Sequence, residues 1–85
     1  PWPNPGNAPL SFQVDLPRSG RVELNIYDPR GRRLRRIDSY LTAGNPTVTW
    51  DGRDEAGKPL AAGLYLVRAK YDSNSHTRKF ILLAN

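Results

Sequence analysis

The stretch GRVELNIYDPRGRRLRRIDSYL, residues 20–41, decides the fold. Val22, Leu24 and Ile26 alternate with Arg21, Glu23 and Asn25. A period of two places apolar side chains on one face and polar ones on the other, the mark of a half-buried strand running to Tyr27. Asp28-Pro29-Arg30-Gly31 follows, with Asp at i, Pro at i+1 and Gly at i+3, the preferences of a type I turn. A third strand starts near Arg33, but Leu34 and Ile37 are three apart. A bulge around Arg35-Arg36 would restore the inward face for Ile37, Ser39 and Leu41.

The same period extends outward on both sides. Leu10, Phe12, Val14 and Leu16 alternate with Ser11, Gln13 and Asp15, and Pro17-Arg18-Ser19-Gly20 ends that run. After the break at Ala43-Gly44-Asn45-Pro46, Val48 and Trp50 form a short inward pair, with Trp50 as a core anchor. Leu64 to Tyr71 and Thr77 to Leu83 are two further strands, separated by Asp72-Ser73-Asn74-Ser75. No window fits a helix and no internal repeat is visible. Six or seven short strands between turn signals predict an all-β protein, an antiparallel immunoglobulin-like β-sandwich over residues 10–85. The first nine residues, PWPNPGNAP, hold four prolines and read as a lead-in segment or linker, with Trp2 expected to pack on the domain edge.

Length and composition limit what such a domain can do. Its 85 residues make one small domain, with a net stability of about 4–13 kcal/mol. Without cysteine or an N-terminal methionine, it reads as a piece of a longer protein that gains nothing from disulfides. Its longest apolar run, residues 80–84, is far short of the roughly 20 residues of a spanning helix, so it is expected not to span a membrane. The net charge of +5 is concentrated: Arg30, Arg32, Arg33, Arg35 and Arg36 fall within seven residues. That cluster reads first as a solvated hairpin turn with outward arginines, and second as a contact for an anionic surface.

A catalytic or metal constellation would sit in WDGRDEAGKPLAAGLY, residues 50–65. An EF-hand loop starting at Asp51 would need a ligand at Arg53, Gly at Ala56 and Glu at Ala62, so the stretch fails as a calcium loop. Asp51-Gly52 and Ala56-Gly57 instead supply positive-φ turn positions, and Asp51 and Asp54 can accept backbone N–H groups. His76 is the only histidine, no nucleophile elbow surrounds any serine, and a chain with one His and no Cys lacks zinc ligands. Asp54-Glu55 pairs two carboxylates, but adjacent residues on a tight turn point apart. The sequence therefore predicts a domain with no enzyme activity and no cofactor or metal.

The order of motifs resembles a known family. PNPGN, then GRVELNIYDPRGRRLRRI, then LTAGNPTVTWDGRDEAGKPLAAGLYLVRAKY, and last TRKFILL look like the Ig-like domain of the flagellar hook-capping protein family. They look more closely still like the C-terminal sorting domain of the type IX secretion system, on Asn4-Pro5, Trp50 to Asp54 with Gly57, Gly63 and Tyr65, and Thr77-Arg78-Lys79. That resemblance implies a non-catalytic C-terminal module of a larger secreted protein from a Gram-negative bacterium. It also implies a sorting or surface-attachment role, with partners among the secretion machinery at the outer membrane. Localisation would be secreted or cell surface, after passage through the periplasm.

Within that reading, the last strand carries the candidate partner site. Phe80 and Leu82 share one face, while Lys79, Ile81 and Leu83 share the other, so both faces become apolar toward the end. Either Trp2 and the proline-rich segment cover Ile81 and Leu83, or these stay exposed for docking, with Lys79 and Arg78 beside them. The cluster Arg30, Arg32, Arg33, Arg35 and Arg36 is the candidate contact for lipopolysaccharide or another anionic cell-surface glycan. Nucleic acid is not an expected partner, because no aromatic lies between Arg30 and Arg36 to stack on bases. The alternative is a carbohydrate-binding or spacer module of a secreted glycoside hydrolase, whose sugar platform would have to come from Tyr40, Tyr71 and Trp2.

Overall fold

A computed structural model of the chain describes residues 10–83. Six strands form: β1 (Leu10–Gln13), β2 (Gly20–Tyr27), β3 (Arg33–Leu41), β4 (Thr47–Trp50), β5 (Gly63–Tyr71) and β6 (Asn74–Leu82). They make two antiparallel sheets, β1-β4 and β3-β2-β5-β6. The protein is all-β and Ig-like in architecture, and no helix forms among the described residues. Val22, Leu24 and Ile26 of β2 meet Tyr65 and Val67 of β5 on the inner face of the larger sheet, and Val48 and Trp50 cover them from the smaller one. Trp50, 1% exposed, is the largest buried side chain. Phe12 and Phe80 pack on it at centroid distances of 6.2 and 6.0 Å, tying β1, β4 and β6 together.

Two features depart from the periodicity. The bulge in β3 falls at Leu34, because Tyr27 pairs with Arg33 while Ile26 pairs with Arg35. It lies one residue before the expected Arg35-Arg36 position, where the Leu34 carbonyl accepts the Glu55 N–H at 3.1 Å from outside the sheet. Strand β6 also starts at Asn74, three residues before Thr77, since Tyr71 pairs directly with Asn74. A two-residue turn suffices there because Asp72 takes a left-handed conformation, φ 51°, which a short polar side chain tolerates. Beyond Gln13 the first run continues without being a regular strand: Val14 N–H donates to the Pro46 carbonyl at 3.0 Å and Leu16 N–H to Gly44 at 2.9 Å. The expected position of Trp2 lies outside the described residues.

Candidate functional site

Two turns of the molecule are built alike. In Asp28 to Arg32, the Asp28 Oδ1 accepts the N–H groups of Arg30 (3.0 Å) and Arg32 (2.9 Å). The Asp28 N–H donates to the Arg32 carbonyl at 3.0 Å and Gly31 N–H donates to the Asp28 carbonyl at 2.9 Å. In Asp54 to Lys58 the same four bonds recur: Ala56 (3.0 Å) and Lys58 (2.9 Å) donate to Asp54 Oδ1, with the matching backbone pair at 2.9 and 3.0 Å. Gly31 and Gly57 hold the equivalent positive-φ positions, at 88° and 85°. The backbone N–H groups of Arg32 and Arg30 hold the Asp28 carboxyl below its ordinary pKa, in that order of effect, against partial desolvation. An aspartate, two free residues, a glycine and a base make one reusable turn.

The second copy sits in the 50–65 loop, whose acids are all used structurally. Asp51 Oδ1 accepts Arg53 N–H at 3.0 Å and the Arg35 guanidinium at 3.1 Å. Glu55 Oε2 accepts the Arg36 N–H at 2.7 Å. The Arg53 carbonyl takes both the Trp50 indole N–H at 3.0 Å and Arg35 Nη1 at 2.9 Å. The Tyr65 hydroxyl donates to the Ala61 carbonyl at 2.6 Å, and burial, helped by the charge of Asp28, pushes its pKa up. Among the described residues no three metal-ligating side chains converge. The loop closes the end of the sandwich over Trp50 and seals part of the free edge of β3.

The arginines are not a solvated turn. Only Arg30 and Arg32 lie on the hairpin tip; Arg33, Arg35 and Arg36 belong to β3. The bulge at Leu34 puts Arg35 in phase with Ile37, so it points inward, where the loop carboxylate and carbonyl receive it. On the outer face, Arg33 Nη1 donates to Asn25 Oδ1 at 3.4 Å, Asn25 Nδ2 donates to Glu23 Oε2 at 2.8 Å, and Arg36 pairs with Glu23 at 3.3 Å. Asn25 is thereby 1% exposed on a face that alternation assigned to solvent. The bond from Asn25, with the charge of Arg36 behind it, holds the Glu23 carboxyl below its ordinary pKa, against the opposing pull of desolvation. No pattern in the sequence marks Asn25; long arginines laid across the sheet cover it.

The last strand divides the remaining site residues between two faces. Lys79, Ile81 and Leu83 alternate outward, with Ile81 59% and Leu83 50% exposed. Leu64, paired with Ile81, is also exposed and extends the patch onto β5. Sequence reasoning missed Leu64, although the register of a hairpin would have placed it there. Arg78 sits on the opposite face with His76 and Phe80, and lines a groove between β1 and β6. Of the sugar-platform candidates, Tyr40 is exposed on the outer face, whereas Tyr71 is buried in the core. Tyr71 packs at 6.0 Å from His76, so Tyr40 and Tyr71 cannot form one flat surface. Trp2 lies outside the described residues.

With this geometry in place, the comparisons with known proteins locate the chain. The FlgD Ig-like domain family matches residues 4–75, and the chain belongs to that family. Among solved structures, FlgD from P. aeruginosa is similar at 26% identity and a TM-score of 0.68, with 91% of this chain and 63% of that chain covered. FlgD from Xanthomonas campestris, described through hook capping essential for flagellar assembly, is similar at 25% identity and a TM-score of 0.70. That match covers 91% of this chain and 57% of the other. The chain thus spans less than two thirds of either protein. No curated protein matches it. It is an Ig-like β-domain of the FlgD type.

Proposed function

We propose that this domain is a recognition module of a larger secreted protein, acting as a sorting or surface-attachment signal read by outer-membrane secretion machinery. One observation carries the reading: the outer face of β6 ends in an exposed apolar patch, Ile81 and Leu83 with Leu64, next to the cation Lys79. Contiguous apolar surface beside charge is the usual form of a partner site on a soluble domain. Residues Arg30 and Arg32, on the hairpin tip, are the part of the arginine cluster left to meet lipopolysaccharide or another anionic glycan at the cell surface. The passenger would reach that surface through the periplasm.

The test is Ile81→Ser with Leu83→Ser in a reporter fused to this domain and expressed in a type IX-competent host. Export should fall while the melting curve of the purified domain stays in place, because both side chains are exposed. Normal export with normal folding would remove the proposal. The likeness to two FlgD proteins supports a second reading, in which the same patch packs within a hook-capping type of assembly. In that case the double variant would lose assembly with its parent protein and leave export unaffected.

A further inference from the structure

One row across the larger sheet carries an arginine at each end. Arg35 pairs with Ile26, Ile26 with Val67, and Val67 with Arg78. Both end strands are edges of the sheet, and both arginines are in phase with inward residues. Their surroundings differ. Arg35 is received by the Asp51 carboxylate and the Arg53 carbonyl of the 50–65 loop, at 3.1 and 2.9 Å. Arg78 has no hydrogen-bond or ion-pair partner among the described residues, and opens onto a groove of about 400 Å³ lined by Phe12, Val14 and Asp15 across from Val67, His76 and Phe80.

Among the described residues no acidic side chain of the chain bonds to Arg78, although Asp15 lines the same groove. Of the chain's eight acids, Asp15 is engaged by Asn45, Glu23 by Asn25 and Arg36, Asp28 by its own turn, and Asp38 by Arg36. Asp51 holds Arg35, Asp54 holds its own turn, Glu55 holds the Arg36 N–H, and Asp72 faces Arg18. Residues 1–9 and 84–85 contain no Asp or Glu. A guanidinium forks most strongly onto a carboxylate, and a free strand edge offers unpaired backbone groups to an added strand. The groove runs between two such edges, those of β1 and β6.

We propose that the seam between β1 and β6 binds an extended peptide segment of a partner protein, seated by strand addition, with an Asp or Glu side chain on Arg78. The partner strand supplies at Arg78 what the 50–65 loop supplies at Arg35: a carboxylate, with backbone beside it. Its neighbouring side chains are apolar, to match Phe12, Val14 and Val67. Main-chain bonds give such complexes affinity and side-chain pockets give selectivity. Ile81 and Leu83 of the outer patch do not line this groove, although Lys79 does.

The probe is a short fluorescein-labelled peptide of alternating valine and threonine with one central glutamate, beside the same peptide with glutamine. Anisotropy titrations use the whole chain, Arg78→Gln and Lys70→Gln, with thermal melts to establish that each variant folds. Lys70 lies on the outer face of the same sheet, paired with Glu23, and does not line the groove, so the two variants change net charge equally and differ in face. The glutamate peptide should bind, the glutamine peptide about tenfold or more weakly, and Arg78→Gln should lose a similar factor while Lys70→Gln changes little. Amide shifts on binding should cluster in β1 and β6. Equal losses in the two variants would mean unspecific charge attraction and overturn the proposal. So would no binding together with self-association of Arg78→Gln, which would make Arg78 only a guard against edge-to-edge pairing.

Discussion

At the scale of single residues, Trp50 and Arg35 meet at one carbonyl, that of Arg53. Removing the indole leaves a cavity among Phe12, Phe80 and the inner sheet, so Trp50→Ala should cost about 3–5 kcal/mol in urea unfolding. That is a large part of what a domain of this size has, and a midpoint unchanged within error would refute the placement. Arg35 invites a sharper comparison, since composition alone treats the arginines as equivalent. Arg35→Ser removes a guanidinium that is 26% exposed and its bonds to Asp51 and the Arg53 carbonyl, and should cost about 1 kcal/mol. Arg32→Ser should be nearly neutral, because that side chain is 77% exposed and the Asp28 carboxylate keeps its two backbone N–H partners without it. Equal effects of the two substitutions would mean that the bulge does not separate their roles.

At the scale of elements, the 50–65 loop acts as a cap on an edge strand. Glu55 gives its N–H to the Leu34 carbonyl and its carboxylate to the Arg36 N–H, so two outward groups of β3 are occupied by the chain itself. Unpaired edge groups recruit other strands, and covering them is one way a β-protein stays monomeric. Glu55→Ala should speed hydrogen exchange at the Arg36 amide while leaving Ile26 and Val67 protected, and should raise self-association at high concentration. Unchanged exchange at Arg36 would show that the side chain does not close the edge. The turn within this loop and the one at Asp28 owe their shape to Gly57 and Gly31 at positive φ. Both were legible in the sequence, because an Asp followed three residues later by Gly specifies the turn locally.

At the scale of the whole molecule, one carboxyl on the outer face of the larger sheet and one in the turn between β2 and β3 store a pH dependence. The carboxyls of Glu23 and Asp28 are both held below their ordinary values. The native state therefore binds fewer protons than the unfolded chain through that window. The stability they contribute is fully present above the ordinary carboxylate range and is lost as pH falls through the lowered native values. Thermal unfolding should be flat from neutral pH down to about 5 and then fall, with Asp28→Asn giving a shallower decline. An identical acid profile in the variant would mean that the Asp28 turn is not a source of that slope. High salt should flatten the part owed to Glu23 and Arg36 more than the part owed to backbone N–H groups at Asp28, since exposed charge pairs are screened.

By itself, the sequence determined the number and order of the strands, most of their inward faces, the position of Trp50 and the turn at Asp28. These depend on neighbours one to four residues apart, and the period-two pattern with turn residues records such neighbours directly. Only the tertiary structure decided where the bulge falls, which arginines are engaged, that Asn25 is buried and that Arg78 faces an open seam. The physical reason is common to all four. Each depends on which side chain a distant strand or loop brings within hydrogen-bonding range, as Glu55 reaches Arg36 and Asp51 reaches Arg35. A one-residue shift of register reverses every side chain of a strand, so the placement of Leu34 in the bulge settled the role of each arginine after it.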